Sequence, residues 1–345
     1  MIDALRKQLA EAIPLSPEQI SQAVVLLLDA TVPDQSKADF LGDLARKGET
    51  PQEIATFARE LRDRSIPLPL DADTRSREIL DVCGTGGDRL NTFNISTTVA
   101  IICAAAGVTV AKHGNRAVTS LAGSADVLET LGIRIELTPQ EASQRLREHQ
   151  FAFLFAPHYH PAFKQLGAAR KICAGSGKRT IFNFLGPLLN PALPSAQLVG
   201  VSRPELCEPI AQVLQLLGVR RGMVASGQVG EAWLDELSTL GDTTIAEFYQ
   251  DRGFTCGLLS REHYPIRECT LADLAGGDRK ANAEIVYRLL INEDQGPKRD
   301  AVLFNASAAL FVAGRTKSMV EGWELADKLL VNGETRKKLL LLQAA

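Results

Sequence analysis

Beyond Arg75, short apolar or β-branched runs alternate along the chain with stretches of helical pattern. The runs are ILDVC (79–83), VTVAK (108–112), IRIEL (133–137), FAFLFA (151–156), AQLVGV (196–201) and RRGMVAS (220–226). This alternation is typical of βαβ units, because a parallel strand needs a long crossover and a helix supplies it. We therefore predict an α/β domain over residues 75–345, with these runs as strands of a mainly parallel central sheet.

The first 70 residues carry helical patterns and little else. Apolar residues recur at helical spacing, and the segments SPEQ (16–19) and TPQE (50–53) are capping boxes with proline at the first helical position. A proline- and aspartate-rich linker follows at 65–74. We predict a small all-helical domain over residues 1–70. The pattern is helical again after residue 157, so we expect a discontinuous contribution to this domain from about 160–190.

The overall composition is that of an ordinary globular protein. The chain has 345 residues, of which 45% are hydrophobic, and a formal net charge of −3. This balance lacks the basic footprint of a general nucleic-acid binder. No apolar run reaches the length of about 18 residues that a membrane span needs. The six cysteines form no CxxC pair and no zinc-spaced cluster, so we expect reduced thiols in a cytoplasmic protein.

A glycine-rich loop, GTGGD (84–88), follows the first predicted strand. Glycines let the backbone approach an anion, and consecutive N–H groups can then form a nest for phosphate oxygens. The spacing matches neither the P-loop nor the dinucleotide fingerprint, and a tight strand–helix turn explains the loop equally well. The segment NIST (94–97) follows at a predicted helix start, where Ser96 or Thr97 is a candidate N-cap and a hydroxyl could ligate Mg²⁺.

A second polar loop, KHGNR (112–116), follows the next predicted strand. Lysine supplies a point charge for phosphate, and arginine supplies a planar fork of donors. Hydroxyl and glycine residues then lead into a predicted helix at Ala125. The two loops together favour an enzyme that binds a phosphorylated sugar with magnesium.

The motifs GTGGD, NIST, KHGNR and GSADVLE (123–129), in this order, closely resemble those of anthranilate phosphoribosyltransferases. The resemblance continues through RTIFNFLGPLLNPA (179–192), LDELS (234–238) and GPKRDAVLFNASAALFVAG (296–314), and so covers nearly the whole chain. It implies a nucleoside-phosphorylase-like architecture with a cleft between the two domains and a homodimer formed through the helical domain. It also implies the substrates anthranilate and 5-phospho-α-D-ribose 1-diphosphate, with two Mg²⁺ ions, and no role for nucleic acid or a membrane.

The resemblance assigns roles to individual positions of this chain. The residues expected to bind phosphoribosyl diphosphate are Gly84, Gly87, Asp88, Thr92, Asn94, Ile95, Ser96, Thr97, Lys112, His113, Gly114, Asn115, Arg116, Ala117, Val118, Thr119, Ser120 and Ser124. Those expected to contact anthranilate are Gly84, Asn115 and Arg170, the last through the carboxylate. Ser96, Asp235 and Glu236 are expected to hold magnesium, and no residue is assigned as a general base.

Two segments depart from the family pattern. KICAGSGK (171–178) is longer than its usual counterpart, which affects the pose expected for Arg170. ASGQVGEAWLDE (225–236) contains an insertion before the acidic pair, and without the family an adjacent Asp-Glu pair usually marks a solvated turn.

His158 and His160 form an HxH pair without a third ligand, which more often indicates packing than zinc.

Two other functions are compatible with parts of the sequence. A non-catalytic paralogue that binds nucleic acid would share the fold, but retention of both loops and of the acidic pair argues against it, as does the acidic balance. A pyrimidine nucleoside phosphorylase would share the glycine loops, but KHGNR and RTIFN fit it poorly. Phosphate-dependent cleavage of thymidine or uridine would discriminate that alternative.

Overall fold

The computed structural model describes residues 2–117, 121–177, 179–250 and 253–345. It begins with four helices, α1 (Ile2–Ala10), α2 (Pro17–Leu28), α3 (Asp34–Lys47) and α4 (Pro51–Arg62). Both predicted capping boxes form: the side chains of Ser16 and Thr50 each accept a hydrogen bond from the backbone N–H three residues later. These contacts satisfy N–H groups that a helix start otherwise leaves unpaired.

A short helix, α5 (Ala72–Ser76), leads into an eight-stranded sheet. The strands are β1 (Ile79–Gly84), β2 (Thr109–Gly114), β3 (Phe151–Phe155), β4 (Ala196–Gly200), β5 (Arg221–Val229), β6 (Ala232–Leu234), β7 (Thr243–Tyr249) and β8 (Gly253–Leu259). Their order is β3-β2-β1-β4-β5-β7-β8, with β6 paired to β5. The pairs among β1 to β5 are parallel, and β6, β7 and β8 add antiparallel pairs. The predicted fold class, a small helical domain beside a larger α/β domain, is confirmed.

The remaining helices connect or cover the strands. They are α6 (Ile95–Ala105), α7 (Ser124–Thr130), α8 (Pro139–His149), α9 (Ala156–Tyr159), α10 (Gly167–Gly175), α11 (Cys207–Leu216), α12 (Arg279–Leu290), α13 (Pro297–Val312), α14 (Met319–Val331) and α15 (Glu334–Ala344). Across the described ranges, no helix has both the length and the apolar character needed to cross a membrane.

The strand order has a switch point at β1. The chain runs outward from β1 through β2 to β3, then returns to place β4 on the other side of β1. Ligands of open α/β sheets bind in the crevice at the carboxyl ends of the strands beside such a point. The first predicted loop begins at Gly84, the last residue of β1. Of the second predicted loop, Lys112, His113 and Gly114 belong to β2 itself and only the residues after Gly114 form a loop, so both polar segments lie at this crevice.

One predicted strand is wrong. The run IRIEL (133–137) forms no ladder with the sheet, although Ile133, Ile135 and Leu137 are buried and the residues between them are exposed. The alternation therefore reflects one-sided burial of an extended connection between α7 and α8. Burial alone produces a period of two, so the pattern cannot distinguish this connection from a paired strand.

Two large buried clusters lie around the sheet. One includes α6 and α13, and nearly every residue of α13 is buried. The other joins α1 to α4 with α11 and with Leu166, Ala169 and Cys173. Residues near α10 therefore pack with the N-terminal helices, as the prediction of a discontinuous domain requires. The same cluster also contains strand residues such as Val224, so the boundary between the domains stays a prediction.

Candidate active site

Three glycines at the carboxyl ends of the strands make room for the segment that carries Asp235 and Glu236. A Cβ at Gly84, the last residue of β1, would overlap the Asp235 carboxylate, and one at Gly200, the last residue of β4, would overlap the Asp235 backbone carbonyl. A Cβ at Gly227 of β5 would lie 2.5 Å from the carbonyl oxygen of Glu236. The acidic pair therefore lies directly against the strand ends, and it is not a solvated surface turn.

The loop after β1 has the conformation expected of an anion nest. Gly86 and Gly87 have φ angles of 73° and 85°, in the left-handed region that glycine tolerates best. The N–H of Gly86 donates a hydrogen bond of 2.6 Å to Oδ2 of Asp235. Asp88 closes the turn by accepting a hydrogen bond from the N–H of Leu90 at 3.2 Å. The loop thus presents the N–H of Gly86 toward the acidic pair.

The start of α6 meets the other acid of the pair. The N–H of Ser96 donates to Oε1 of Glu236 at 3.1 Å. The predicted N-cap was wrong: α6 begins at Ile95, so Asn94 is the N-cap, and Ser96 and Thr97 lie in the first turn. The hydroxyl of Ser96 is therefore not used for capping and accepts a hydrogen bond of 3.3 Å from Nζ of Lys112.

Lys112 is the buried cation of the site. Lys112 is only 2% exposed, and its Nζ also donates a hydrogen bond to the carbonyl oxygen of Val82 at 2.6 Å. The side chain therefore runs from β2 under the first loop, toward the start of α6. Its charge stabilises the ionised forms of Asp81 and Glu236, opposing the effect of their burial.

Burial raises the pKa of the carboxyl groups at this site. Desolvation raises the pKa of Glu236 to about 7, although Lys112 and the Ser96 N–H oppose it. The pKa of Asp235 is well above its ordinary value because of burial and the charges of Asp88 and Glu236. Two desolvated carboxyl groups thus lie side by side with a third acid near them, which favours the binding of a cation.

The donor set suits magnesium, provided that a ligand contributes further oxygens. Among the residues that the structure describes, no three histidine, cysteine or acidic side chains are grouped to hold a metal ion by themselves. Proteins typically bind Mg²⁺ through one or two carboxylates together with substrate phosphates and water. Asp235, Glu236 and the Ser96 hydroxyl supply such a partial set beside a phosphate-binding loop.

The second loop packs against α7. A Cβ at Gly114 would lie 2.5 Å from Oγ of Ser124, so the glycine permits this close approach. Arg116 pairs with Asp126 at 3.1 Å and Glu129 at 2.8 Å, and its guanidinium lies 5.5 Å from the ring centre of Phe155. Arg116 is therefore held by α7 instead of pointing openly into the crevice.

The other predicted residues of this region are placed as follows. Asn115 and Ala117 lie in the same loop, where the N–H of Ala117 donates to Asp126 at 3.0 Å. Thr92 forms an isolated bridge with Ala275, at the edge of the first loop. The predicted residues Val118, Thr119 and Ser120 lie outside the described part of the chain.

A row of rings connects the second loop to Arg170. The rings of His113 and His160 are 5.3 Å apart, and His160 stacks on Phe163 at 5.2 Å. Phe163 contacts Phe182 at 5.9 Å, and the guanidinium of Arg170 lies 5.3 Å from the centre of the Phe182 ring. The structure thus brings Arg170 to the far end of an aromatic wall that begins beside Lys112.

The two histidines of this wall are neutral. Burial lowers the pKa of His113 to about 3 and that of His160 to about 4. Nδ1 of His113 lies 3.2 Å from the carbonyl oxygen of Gly186, whereas Nε2 of each ring is buried without a hydrogen-bond partner among the described residues. His160 of the HxH pair is therefore a packed, uncharged ring, as the sequence interpretation expects.

Asn305 of α13 fixes the acidic segment from behind, and the sequence analysis did not single it out. Its Oδ1 accepts a hydrogen bond of 2.8 Å from the N–H of Leu237, and its Nδ2 donates to the carbonyl oxygen of Leu237 at 3.0 Å. Asn305 is fully buried within the largely apolar stretch 301–312 of α13. An amide in such a stretch was the available signal, because a buried amide needs partners.

Two further buried asparagines hold the polar loops. Nδ2 of Asn190 donates to Asp81 at 2.8 Å and to the carbonyl oxygen of Ala111 at 2.7 Å, which ties β1 to β2. Nδ2 of Asn282 donates to Oδ1 of Asn94 at 2.9 Å and so fixes the residue that precedes α6. Each loop of the site is thus supported by an amide from a distant part of the chain.

Comparison with protein-family models gives two matches. Residues 2–65 match the helical bundle domain of a glycosyl transferase family, and residues 76–336 match the a/b domain of the same family.

Curated proteins of similar sequence include anthranilate phosphoribosyltransferases from several bacteria. The chain is 42% identical over 325 residues to the anthranilate phosphoribosyltransferase of Petrotoga mobilis, covering 94% of this chain and 91% of that protein. It is 44% identical over 331 residues to the anthranilate phosphoribosyltransferase of Desulfitobacterium hafniense strain Y51, covering 95% of this chain and 94% of that protein.

Solved structures give the same result. The anthranilate phosphoribosyltransferase of Thermus thermophilus superposes with a TM-score of 0.89 at 38% identity, covering 99% of this chain and 98% of that one. The enzyme of Saccharomyces cerevisiae, in complex with PRPP and Mg, superposes with a TM-score of 0.85 at 27% identity, covering 98% and 95%.

Proposed function

This chain belongs to the anthranilate phosphoribosyltransferase family, and on that premise we propose that it transfers a phosphoribosyl group to anthranilate. The donor is 5-phospho-α-D-ribose 1-diphosphate, and the products are N-(5-phosphoribosyl)anthranilate and diphosphate, as a step of tryptophan biosynthesis. One observation carries the proposal: a glycine nest, a helix N-terminus and the pair Asp235-Glu236 meet at the switch point of the sheet.

The chain uses Mg²⁺, and two ions accompany the sugar diphosphate. Support comes from the yeast relative solved with PRPP and Mg, and from the desolvated carboxyls of this chain. Asp235, Glu236 and the Ser96 hydroxyl hold the metal. When bound, Mg²⁺ neutralises negative charge that develops on the departing diphosphate.

The residues of the two loops bind the sugar diphosphate. The N–H groups of Gly86 in the first loop and of Ser96 in the first turn of α6 face the diphosphate, aided by the dipole of α6. Lys112 adds a fixed positive charge at the same point, and Thr92 and Asn94 line its edge. Gly114, Asn115 and Ser124 border the phosphoribosyl group, and Arg116, paired with Asp126 and Glu129, fixes this loop against α7. Donors held in place before reaction stabilise charge without reorganisation.

Anthranilate lies beside the half-buried rings of Phe163 and Phe182, with its carboxylate toward Arg170 and its amine toward the sugar. Gly84 and Asn115 border the amine end. An aromatic amine is a weak nucleophile, so orientation beside the anomeric carbon matters, and proximity can supply about 7–11 kcal/mol of the barrier. The transition state is loose and resembles an oxocarbenium ion. The amine becomes acidic only as the new bond forms, so water or the departing diphosphate takes its proton, and no side chain is assigned as a general base.

The protein forms a homodimer through the helical domain. This domain consists of residues 1–70 with a contribution from the segment at about residues 160–190. Exposed apolar side chains support this, since Ile13 and Val25 on the helical domain are 47% and 54% exposed. Light scattering is expected to give twice the chain mass of 37.3 kDa, and the monomer mass at micromolar concentration would contradict the dimer. The cytoplasmic location stays a prediction.

Loss of anthranilate fluorescence tests the reaction directly. Purified protein, phosphoribosyl diphosphate and Mg²⁺ are expected to consume anthranilate, and EDTA is expected to stop the loss. Absence of turnover in folded protein that binds the sugar diphosphate would contradict anthranilate as the acceptor. Thymidine with phosphate serves as the control substrate, and its cleavage would indicate a nucleoside phosphorylase instead.

A further inference from the structure

Both carboxylates of the acidic pair are bound to donors of the anion cradle. Asp235 accepts a hydrogen bond from the N–H of Gly86 at 2.6 Å, and Glu236 accepts one from the N–H of Ser96 at 3.1 Å. The first donor belongs to the nest formed by Gly86 and Gly87, and the second to the first turn of an eleven-residue helix. Each carboxylate thus makes the contact that a phosphate oxygen makes at such a place.

The backbone of the acidic segment is held on both sides in the wild-type chain. Gly84, Gly200 and Gly227 place it against three strand ends, where even a Cβ would collide with it. On its other side, Asn305 holds both the N–H and the carbonyl oxygen of Leu237. Only rotation of the two side chains therefore frees the donors.

We propose that Asp235 and Glu236 act as an internal competitor for the diphosphate group, so that the site admits diphosphate only together with its divalent cation. This inference rests on the proposed function, because it concerns the leaving group of that reaction. It gives the acidic pair a second role, which is to reject metal-free diphosphate.

The rejection follows from charge and hydrogen bonding. A free diphosphate has to displace both acidic side chains from the N–H groups of Gly86 and Ser96 and brings no positive partner for the displaced groups. A diphosphate that carries a divalent cation offers the displaced carboxylates a positive partner. The same side-chain rotation then releases the N–H groups of Gly86 and Ser96 for phosphate oxygens.

Calorimetric titration with inorganic diphosphate measures the competition without turnover. Wild type and Glu236→Gln are titrated in EDTA and again in excess Mg²⁺. Glu236→Gln is expected to bind metal-free diphosphate at least about 10-fold more tightly than wild type, which corresponds to about 1.4 kcal/mol. In Mg²⁺ the order is expected to reverse. Glu231→Gln, an exposed acid on the β5–β6 turn, removes the same charge and is expected to bind like wild type.

Equal or weaker metal-free binding by Glu236→Gln would overturn the inference, as would an equal gain in Glu231→Gln. Asp235→Asn is also expected to bind metal-free diphosphate more tightly than wild type, because Asp235 accepts the hydrogen bond of the Gly86 N–H. This variant replaces Glu236→Gln if thermal denaturation shows that Glu236→Gln does not fold. Wild-type turnover of anthranilate is measured on the same preparation. Intact turnover with no gain in metal-free affinity contradicts only the internal competitor, whereas missing turnover contradicts the proposed function.

Discussion

Gly227→Ala tests whether the acidic pair must lie directly against the sheet. The new Cβ would lie 2.5 Å from the carbonyl oxygen of Glu236 and 2.6 Å from both N and Cβ of Ser238. Cβ atoms do not approach other heavy atoms within 3.0 Å, and two of these three contacts are with backbone. The segment has to retreat by about 0.5 Å or more, and such overpacking typically costs about 1–3 kcal/mol of stability.

The displacement changes the position of Glu236 relative to Ser96, whose N–H it contacts at 3.1 Å in the wild type, so activity should fall more than stability alone explains. Misplacement by about 1 Å can cost about 100-fold in rate, so half that distance predicts about a 10-fold loss of kcat/KM. Steady-state anthranilate consumption at varied Mg²⁺ measures the loss, with thermal denaturation alongside it. Gly257→Ala is the matched control, because the same change in the same sheet meets nothing within 4 Å. Wild-type kcat/KM and Mg²⁺ dependence in folded Gly227→Ala would refute the reasoning.

Three other substitutions test separate parts of the site. Arg170→Ala should raise the KM for anthranilate much more than that for the sugar diphosphate, and an equal rise in both would remove Arg170 as the carboxylate anchor. Asn305→Ala leaves the N–H and carbonyl of Leu237 buried without their partner and should cost about 2–4 kcal/mol in chemical denaturation, with a higher Mg²⁺ requirement; unchanged stability would contradict the contact. Burial raises the pKa of Asp81 from 3.8 to about 6. Because the folded state then binds its proton more tightly than the unfolded state, the free energy of unfolding of the wild type falls by about 3 kcal/mol as the pH rises from about 4 through 6. Relative to wild type, Asp81→Asn should therefore gain about 2–3 kcal/mol of unfolding free energy between pH 4 and 7, and parallel pH profiles would exclude this effect.

Short-range signals in the sequence predicted the elements of the fold well. Capping boxes depend on residues three apart, and both that were predicted at the N-terminal helices form. Buried parallel strands appear as apolar runs, and five of the six predicted runs lie in the sheet. IRIEL was wrong because its alternation comes from packing against the core, and hydrogen-bond pairing leaves no separate mark in a single sequence.

The candidate site could be predicted only in part from such local sequence signals. The two polar loops can be recognised locally, because glycine and cations cluster after a strand. Nothing local marks Asp235 as their partner, since 149 residues separate it from Gly86 and an acidic pair fits a surface turn equally well. The resemblance to a known family supplied that partner, and the structure adds the reason: three glycines on separate strands leave space for one segment.

The buried asparagines show where sequence reasoning could have gone further. An amide buried without partners costs free energy, so Asn305 within an apolar helix implies a partner even when the sequence cannot name it. That partner is the backbone of Leu237, 68 residues away, and a backbone contact imposes no residue type that a sequence could reveal. The position of the acidic pair therefore depends on two features that look ordinary in the sequence. One is the absence of a side chain at Gly227, and the other is the single amide of Asn305 on the opposite side of the segment. Both act on the main chain, so substitutions of neighbouring side chains would leave the geometry of the pair intact, whereas either a methyl group at Gly227 or the loss of one amide at Asn305 would disturb it.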